Sequence, residues 1–333
     1  MTPHPSPRRF APPLPPLLSR NWLALAGLAA LLLYPRFATS YLISLATEVM
    51  IFAVFAMSLD LLLGYTGLAS FGHAAFFGLG GYLLGFMARS WTNNMLATLP
   101  LVLLGAALAA LIIGFFALRT SGLSFLMFTL ATAQMLFGIA IKWTPVTGGS
   151  DGLSGVPRPV IGFGETVYRF GTGPQYYFFT LFFFLTAYLL LRQVVHSPFG
   201  RALVGIKSNE SRMRALGYNT WRYKMAAYVV AGMFAGLAGF LFAHFNRHVS
   251  PEALYWTVSG QVMIMVIIGG AGSLTGPALG AALVRLLPSY VSSYTERWHT
   301  VMGLVFILFV LFAPKGIFGL LRLGARAPSE KRP

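Results

Sequence analysis

The sequence predicts an all-α, polytopic membrane protein of about ten transmembrane helices, with two glycine-broken internal repeats and both termini cytoplasmic. Three observations carry that prediction. Of 333 residues, 56% are apolar and only 10% charged, against about 25% charged in soluble domains. Apolar runs long enough to cross lipid recur along the chain. The basic residues, which bring the formal charge to +16, divide unequally between the two sides those runs define. A soluble protein with this charge would suggest nucleic acid; here the retention of Lys and Arg on the inner side of a membrane accounts for it, and no nucleic-acid partner is expected. With no cysteine, disulfides, thiolate metal sites and thiol catalysis are excluded.

In chain order, residues 1–21 (MTPHPSPRRFAPPLPPLLSRN) read as a disordered, basic, Pro-rich tail. The run 22–34 is short enough for a signal-peptide core but lacks a small-x-small cleavage site, so it reads as a retained first span. Further spans are placed at 41–63, 70–88, 97–118, 122–141, 176–195, 224–245, 257–269, 277–294 and 299–314. The membrane domain thus occupies 22–319, and 320–333 form a second basic tail. With the N-terminus inside, inner segments hold sixteen Lys or Arg, the outer segments seven, and Arg285 lies within a span. That bias has the expected sign. The loop 144–175, rich in Gly and Pro, falls on the outer face.

Two segments echo each other: GYTGLASFGHAAFFGLGGYLLG (64–85) and GGAGSLTGPALGAALVRLL (269–287). Each is a glycine-rich break leading into an apolar run of small residues. Broken helices in repeats flank the substrate path of many transporters, whereas Gly-x-x-x-Gly spacings such as Gly81/Gly85, Gly232/Gly236 and Gly276/Gly280 serve close helix packing. Both readings stand. Exposed backbone N–H groups at such breaks can meet a substrate carboxylate, which nominates Ser70, Gly72, His73, Thr129, Gln134, Gly269, Gly270 and Gly272 as path residues. His73 taken alone reads as a hydrogen-bonded structural residue rather than a proton relay.

Several apparent motifs carry no chemistry. GGSDG (Gly148, Gly149, Ser150, Asp151, Gly152) matches a nucleophile elbow, but no strand leads into it, so a tight outer-face turn is expected and no catalytic residue is assigned. GGAGSLTG lacks the Gly-Lys-Ser/Thr ending of a P-loop, so the chain is not expected to bind ATP itself. The histidines lack metal-ligand spacing. Glu48 and Asp60 lie in the second span, where a charge costs roughly 2.5–3.5 kcal/mol even on the permissive insertion scale. An ion-coupled carrier would use such a carboxylate; neutralisation of Glu48 by Arg285 is the alternative.

SPFGRALVGIKSNESRMRALGYNTWRYK (197–224) interrupts the apolar chain with six Lys or Arg and a single Glu. A solvated linker is one reading. The other is a short amphipathic helix with Ala202, Ile206, Met213 and Leu216 on one side and Gly217 at its stop, lying on the inner surface where it can dock on a soluble partner. Together with GYTGLASFGHAAFFGLGGY, TGGSDGLSGVP, SPEALYWTVSGQVMIMVIIGGAGSLTGPALGA and GLVFILFVLFAPKGIFG, this stretch resembles the permease subunits of branched-chain amino acid ABC importers, in particular the M-type member of their H/M pair. The resemblance covers about residues 41–319. Asp60 departs from the Asn of that subfamily and is similar to the urea-importer permeases.

The resemblance implies a bacterial inner-membrane, multi-pass subunit that is not an enzyme and holds no cofactor. A second, H-type permease would complete the path, two cytoplasmic ATPases would bind the ATP, and a periplasmic solute-binding protein would dock on the outer loop. It also implies an ATPase-coupling role for Arg201, Ala202, Lys207, Asn209, Glu210, Ala215 and Gly217 in the insert 197–223, with Arg201 and Glu210 as the polar contacts. Urea, amide or aromatic-acid import, and ion-coupled carriage, are the alternatives.

Overall fold

A computed structural model describes residues 17–333 apart from 164–165, 296, 313–315 and 318–333. The tail 1–16 and the segment 320–333 therefore lie outside the described residues. The helices are α1 (Leu17–Phe37), α2 (Ser40–Asp60) continued by a π-helical turn Leu61–Thr66, α3 (His73–Ser90), α4 (Met95–Ala117), α5 (Gly122–Lys142), the one-turn α6 (Thr144–Thr147), α7 (Gly173–His196), α8 (Pro198–Ser208), α9 (Glu210–Ala215), α10 (Thr220–Asn246), α11 (Trp256–Gly269), α12 (Thr275–Val291) and α13 (Trp298–Phe312). Every span placed from the sequence meets a helix. The first begins earlier, at Leu17, inside the stretch read as a tail, and the third begins later, at His73. Among the described residues, five helical segments are long and apolar enough to cross a membrane: Ser40–Thr66, α4, α5, α7 and α10.

Local chemistry sets the ends. The Thr39 hydroxyl accepts from the Leu42 amide, Asn94 from Leu96 and Ser197 from Gly200. Thr172 and Gln175 form a reciprocal capping box at α7, closing two amides that the helix cannot pair itself. Gly67, with φ of 76°, ends the π-turn in the left-handed region that a side chain resists.

α2 runs through the centre, buried from Met50 to Leu62. α12, α7, α10 and α11 pack around it, while α10 also covers α3 and α4. Phe52, Phe55, Phe77 and Phe242 cluster in the middle, with contacting ring centroids 4.6–6.4 Å apart. α4 turns Leu101, Leu104, Leu108 and Leu111 outward, as a lipid-facing helix does.

The fold is helical, as expected, apart from short ladders: β1 (Leu153–Ser154) pairs with β4 (His248–Val249), and β2 (Val160–Phe163) with β3 (Thr166–Arg169), all antiparallel. These short ladders satisfy backbone groups in the Gly/Pro-rich 144–175 loop and tie it to the end of α10. The basic insert is two helices rather than one, because Asn209 leaves the helical region (φ −159°, ψ 100°) and its side chain caps α9 by accepting from Arg212.

Candidate coupling and translocation site

The two glycine breaks meet at one end of the bundle. Asp60, fully buried at the end of α2, accepts hydrogen bonds from the amides of Gly272 at 2.7 Å and Leu274 at 3.2 Å. Gly64 lies in the π-turn directly against Asp60 and the Gly272 backbone, where any Cβ would overlap both. The Gly64 carbonyl in turn accepts from Lys207 Nζ at 2.8 Å. A side chain of the basic insert thus grips the first break, and the first break holds the second.

α8 turns Ala202, Leu203 and Ile206 inward against the bundle, so Ala202 is a packing residue of this chain. Arg201, Asn209, Ala215 and Gly217 are exposed, and none of α9 is buried. Val204, Leu216 and Tyr218 add exposed apolar surface there. Glu210 is not a free outward carboxylate. It accepts from Lys224 at 2.6 Å, Arg214 at 2.7 Å and Thr220 at 3.0 Å, which fastens α9 to the base of α10. Burial pushes its carboxyl up, but the bonds from Lys224 and Arg214 outweigh that and hold it below the usual glutamate value.

At the first break, Ser70, Gly72, His73 and Thr129 converge and all are buried. Thr129 Oγ1 donates to Leu126 O and accepts from Phe71 N at 3.2 Å. A Cβ on Gly72 would run into the Thr129 backbone. His73 Nε2 lies 2.8 Å from Ser58 Oγ, whose own hydrogen serves Phe55 O; the imidazole is therefore the donor, in its Nε2–H form. Its ring stacks on Phe55. The Ala74 amide donates to Ser259 of α11 at 2.8 Å. Gln134 does not join this cluster, since five residues beyond Thr129 it points about 140° around the helix.

The expectation that free amides at the breaks await a substrate carboxylate is corrected in this conformation. Phe71, Gly72, Ala74, Gly272, Leu274 and Gly276 donate to Thr129, Ser70, Ser259, Asp60, Asp60 and Ser273 respectively. Gly269 instead packs against the Gly276 backbone, and Gly270 turns the chain at φ of 106°. Ser58, Ser259 and Gly64 were not singled out from the sequence; a serine or glycine in an apolar run carries no signal of its distant partner.

On the opposite end, Gly148 and Gly149 both adopt positive φ and lead into a 3₁₀ turn, Gly149–Asp151. Ser150 is exposed and donates to Asp151 at 3.1 Å. This is a surface turn followed, not preceded, by a strand. Glu48 and Arg285 pair at 3.3 Å. Among the described residues no group of three or more His, Cys, Asp or Glu is placed to hold a metal ion.

The family profile described as "Branched-chain amino acid transport system / permease component" matches residues 41–312. The chain is 28% identical to the high-affinity branched-chain amino acid transport system permease protein LivM of Escherichia coli, over 84% of this chain and 70% of that protein. It is 25% identical to a probable branched-chain amino acid transport permease LivM of Methanocaldococcus jannaschii, over 77% and 83%. An autoinducer 2 import system permease, LsrC of Salmonella paratyphi B, is 25% identical over 81% and 78%. No solved structure matches with comparable significance.

Proposed function

Because the chain belongs to the branched-chain amino acid transport system permease family, we propose that it is one of two membrane subunits forming the path of an ATP-driven importer for leucine, isoleucine, valine or a related small solute. The loop 144–175 faces outward and receives a solute-binding protein. The α8–α9 insert faces inward and docks on ATPase subunits, which bind the ATP. Both termini lie inside, and the membrane is the bacterial inner membrane.

The observation that carries this reading is the relay Lys207–Gly64–Asp60–Gly272. It joins a surface insert to both helix breaks, so a push on α8 reaches two irregular segments at once. Exposed Arg201, Val204, Leu216 and Tyr218 offer the mixed basic and apolar surface that a protein partner covers. Glu210 supports the insert from behind instead of making the contact itself.

The test is reconstitution. The chain with its companion permease, ATPases and binding protein should accumulate radiolabelled leucine in proteoliposomes only with ATP and only with every component present. Uphill uptake by this chain alone would overturn the reading in favour of an ion-coupled carrier. The likeness to autoinducer 2 permeases supports a second reading, import of a different small polar solute; calorimetry on the cognate binding protein decides between them.

A further inference from the structure

Glu48 of α2 and Arg285 of α12 form an ion pair with an unusual address. Their side chains keep 28% and 27% of their surface accessible. The Arg285 guanidinium lies over the Phe52 ring, 3.5 Å from its centroid, and its Nε has no hydrogen-bond partner. Glu48 sits about 12 Å along α2 from its loop-side end, and Arg285 about 9 Å from the loop-side end of α12. Both are therefore within the hydrocarbon layer. Charged residues at that depth face a bundle interior or a water-filled cavity rather than lipid. Here they open outward from this chain's own bundle.

Polar residues extend the same seam. Tyr41, Ser44 and Glu48 follow one another at helical spacing on α2, with Tyr41 and Ser44 exposed. On α12 the Ser289 hydroxyl donates to the Arg285 carbonyl, and Ser292 and Ser293 just beyond are exposed. The leucine-covered face of α4 has nothing comparable.

We propose that the seam between the loop-side halves of α2 and α12 lines the aqueous path and holds a zwitterionic amino acid in transit. Its ammonium lies against the Glu48 carboxylate and its carboxylate against the Arg285 guanidinium. Both charges of an α-amino acid hang on one carbon, so their partners must be neighbours, as these two are. The Nε itself is buried without a partner, so the substrate carboxylate meets the terminal nitrogens of the guanidinium, the end that also reaches Glu48. With the site empty, each charge closes on the other, so neither stands alone in a low-dielectric setting. This deepens the transport reading and rests on it.

The absence of cysteine makes the test direct. Ser44→Cys and Ser289→Cys, each as the sole thiol of this chain and assembled with cysteine-free companion subunits, are exposed to a charged, membrane-impermeant methanethiosulfonate, with Leu104→Cys on α4 as the lipid-facing control. The two seam thiols should react at least about tenfold faster than the control, and leucine should slow them. Reaction no faster than the control means that lipid or a partner helix covers the seam and overturns the proposal; fast reaction without protection by any amino acid overturns the zwitterion assignment. Glu48→Gln and Arg285→Gln should each raise KM for leucine about tenfold or more, and the charge swap Glu48→Arg with Arg285→Glu should recover part of it. An unchanged KM would equally overturn the assignment. Thiol reactivity needs no transport, so failure of the unmodified complex to import leucine sinks the transport reading and leaves the accessibility result legible.

Discussion

Asp60 and Gly272, 212 residues apart, are joined by a 2.7 Å hydrogen bond, and the second carboxylate oxygen of Asp60 takes the Leu274 amide. Asp60→Ala leaves two amides without an acceptor in a packed setting, each worth about 1–3 kcal/mol. The variant should unfold in detergent at a clearly lower temperature in a fluorescence melt. Asp60→Asn keeps one acceptor oxygen and should lose about half as much. Equal melting of Asp60→Ala and the parent would show that the carboxylate does not join the breaks.

Lys207→Met keeps the aliphatic stem that packs on Gly67 and removes only the ammonium bonded to Gly64. If the relay transmits the ATPase stroke, uptake by the assembled complex should fall about tenfold or more while ATP hydrolysis continues. Parallel loss of both activities would instead indicate failed assembly, which co-purification of the ATPase reads independently.

Glu210→Gln removes the charged acceptor shared by Lys224 and Arg214. Because the Glu210 side chain keeps 30% of its surface accessible, screening limits the loss to about 0.5–1 kcal/mol. The sign with pH follows from its lowered value in the folded protein. This contribution is whole at neutral pH and above the ordinary glutamate range, and disappears as pH falls through the depressed titration. The difference in melting temperature between parent and Glu210→Gln should therefore be present at pH 7 and close on strong acidification. A difference that stays constant throughout that range would remove the carboxylate from the account. Charge reversal at Glu210 is a poor probe of the ATPase surface, since it would first detach α9 from α10; Arg201→Glu is the cleaner one.

Gly239 packs on the backbone of Phe77 where α10 crosses α3, with no room for a Cβ. Gly239→Ala should force the helices apart at about 1–3 kcal/mol, read as a lower melting temperature. Gly138→Ala on α5, which meets nothing within 4 Å, should melt at or above the parent value. Indistinguishable melts for these two would argue against the close crossing.

The helices were legible because lipid demands long apolar runs, and hydropathy reports that demand directly. Glu48 and Arg285 stood out for the same reason: charges inside such runs are costly enough to be conspicuous, and their pairing was one of the two readings open. The relay was not legible. It joins side chains to backbone amides and carbonyls, which every residue possesses, across separations such as the 143 residues between Gly64 and Lys207. Nor did the insert show its division, since Asn209 is compatible with a continuing helix until its side chain is seen to cap the next one. The short strands around Leu153 and Val249 span too few residues for alternation to register.

The Ala74 amide at the head of α3 finds its acceptor in Ser259, made 185 residues later. Biogenesis therefore has an order built into it. While ribosomes are still synthesising the middle of the chain, that end of α3 waits with a donor unanswered, sheltered by the insertion machinery or by water. Only when α11 arrives is the early half of the molecule completed, so truncations that stop short of it should leave a product that quality-control proteases recognise.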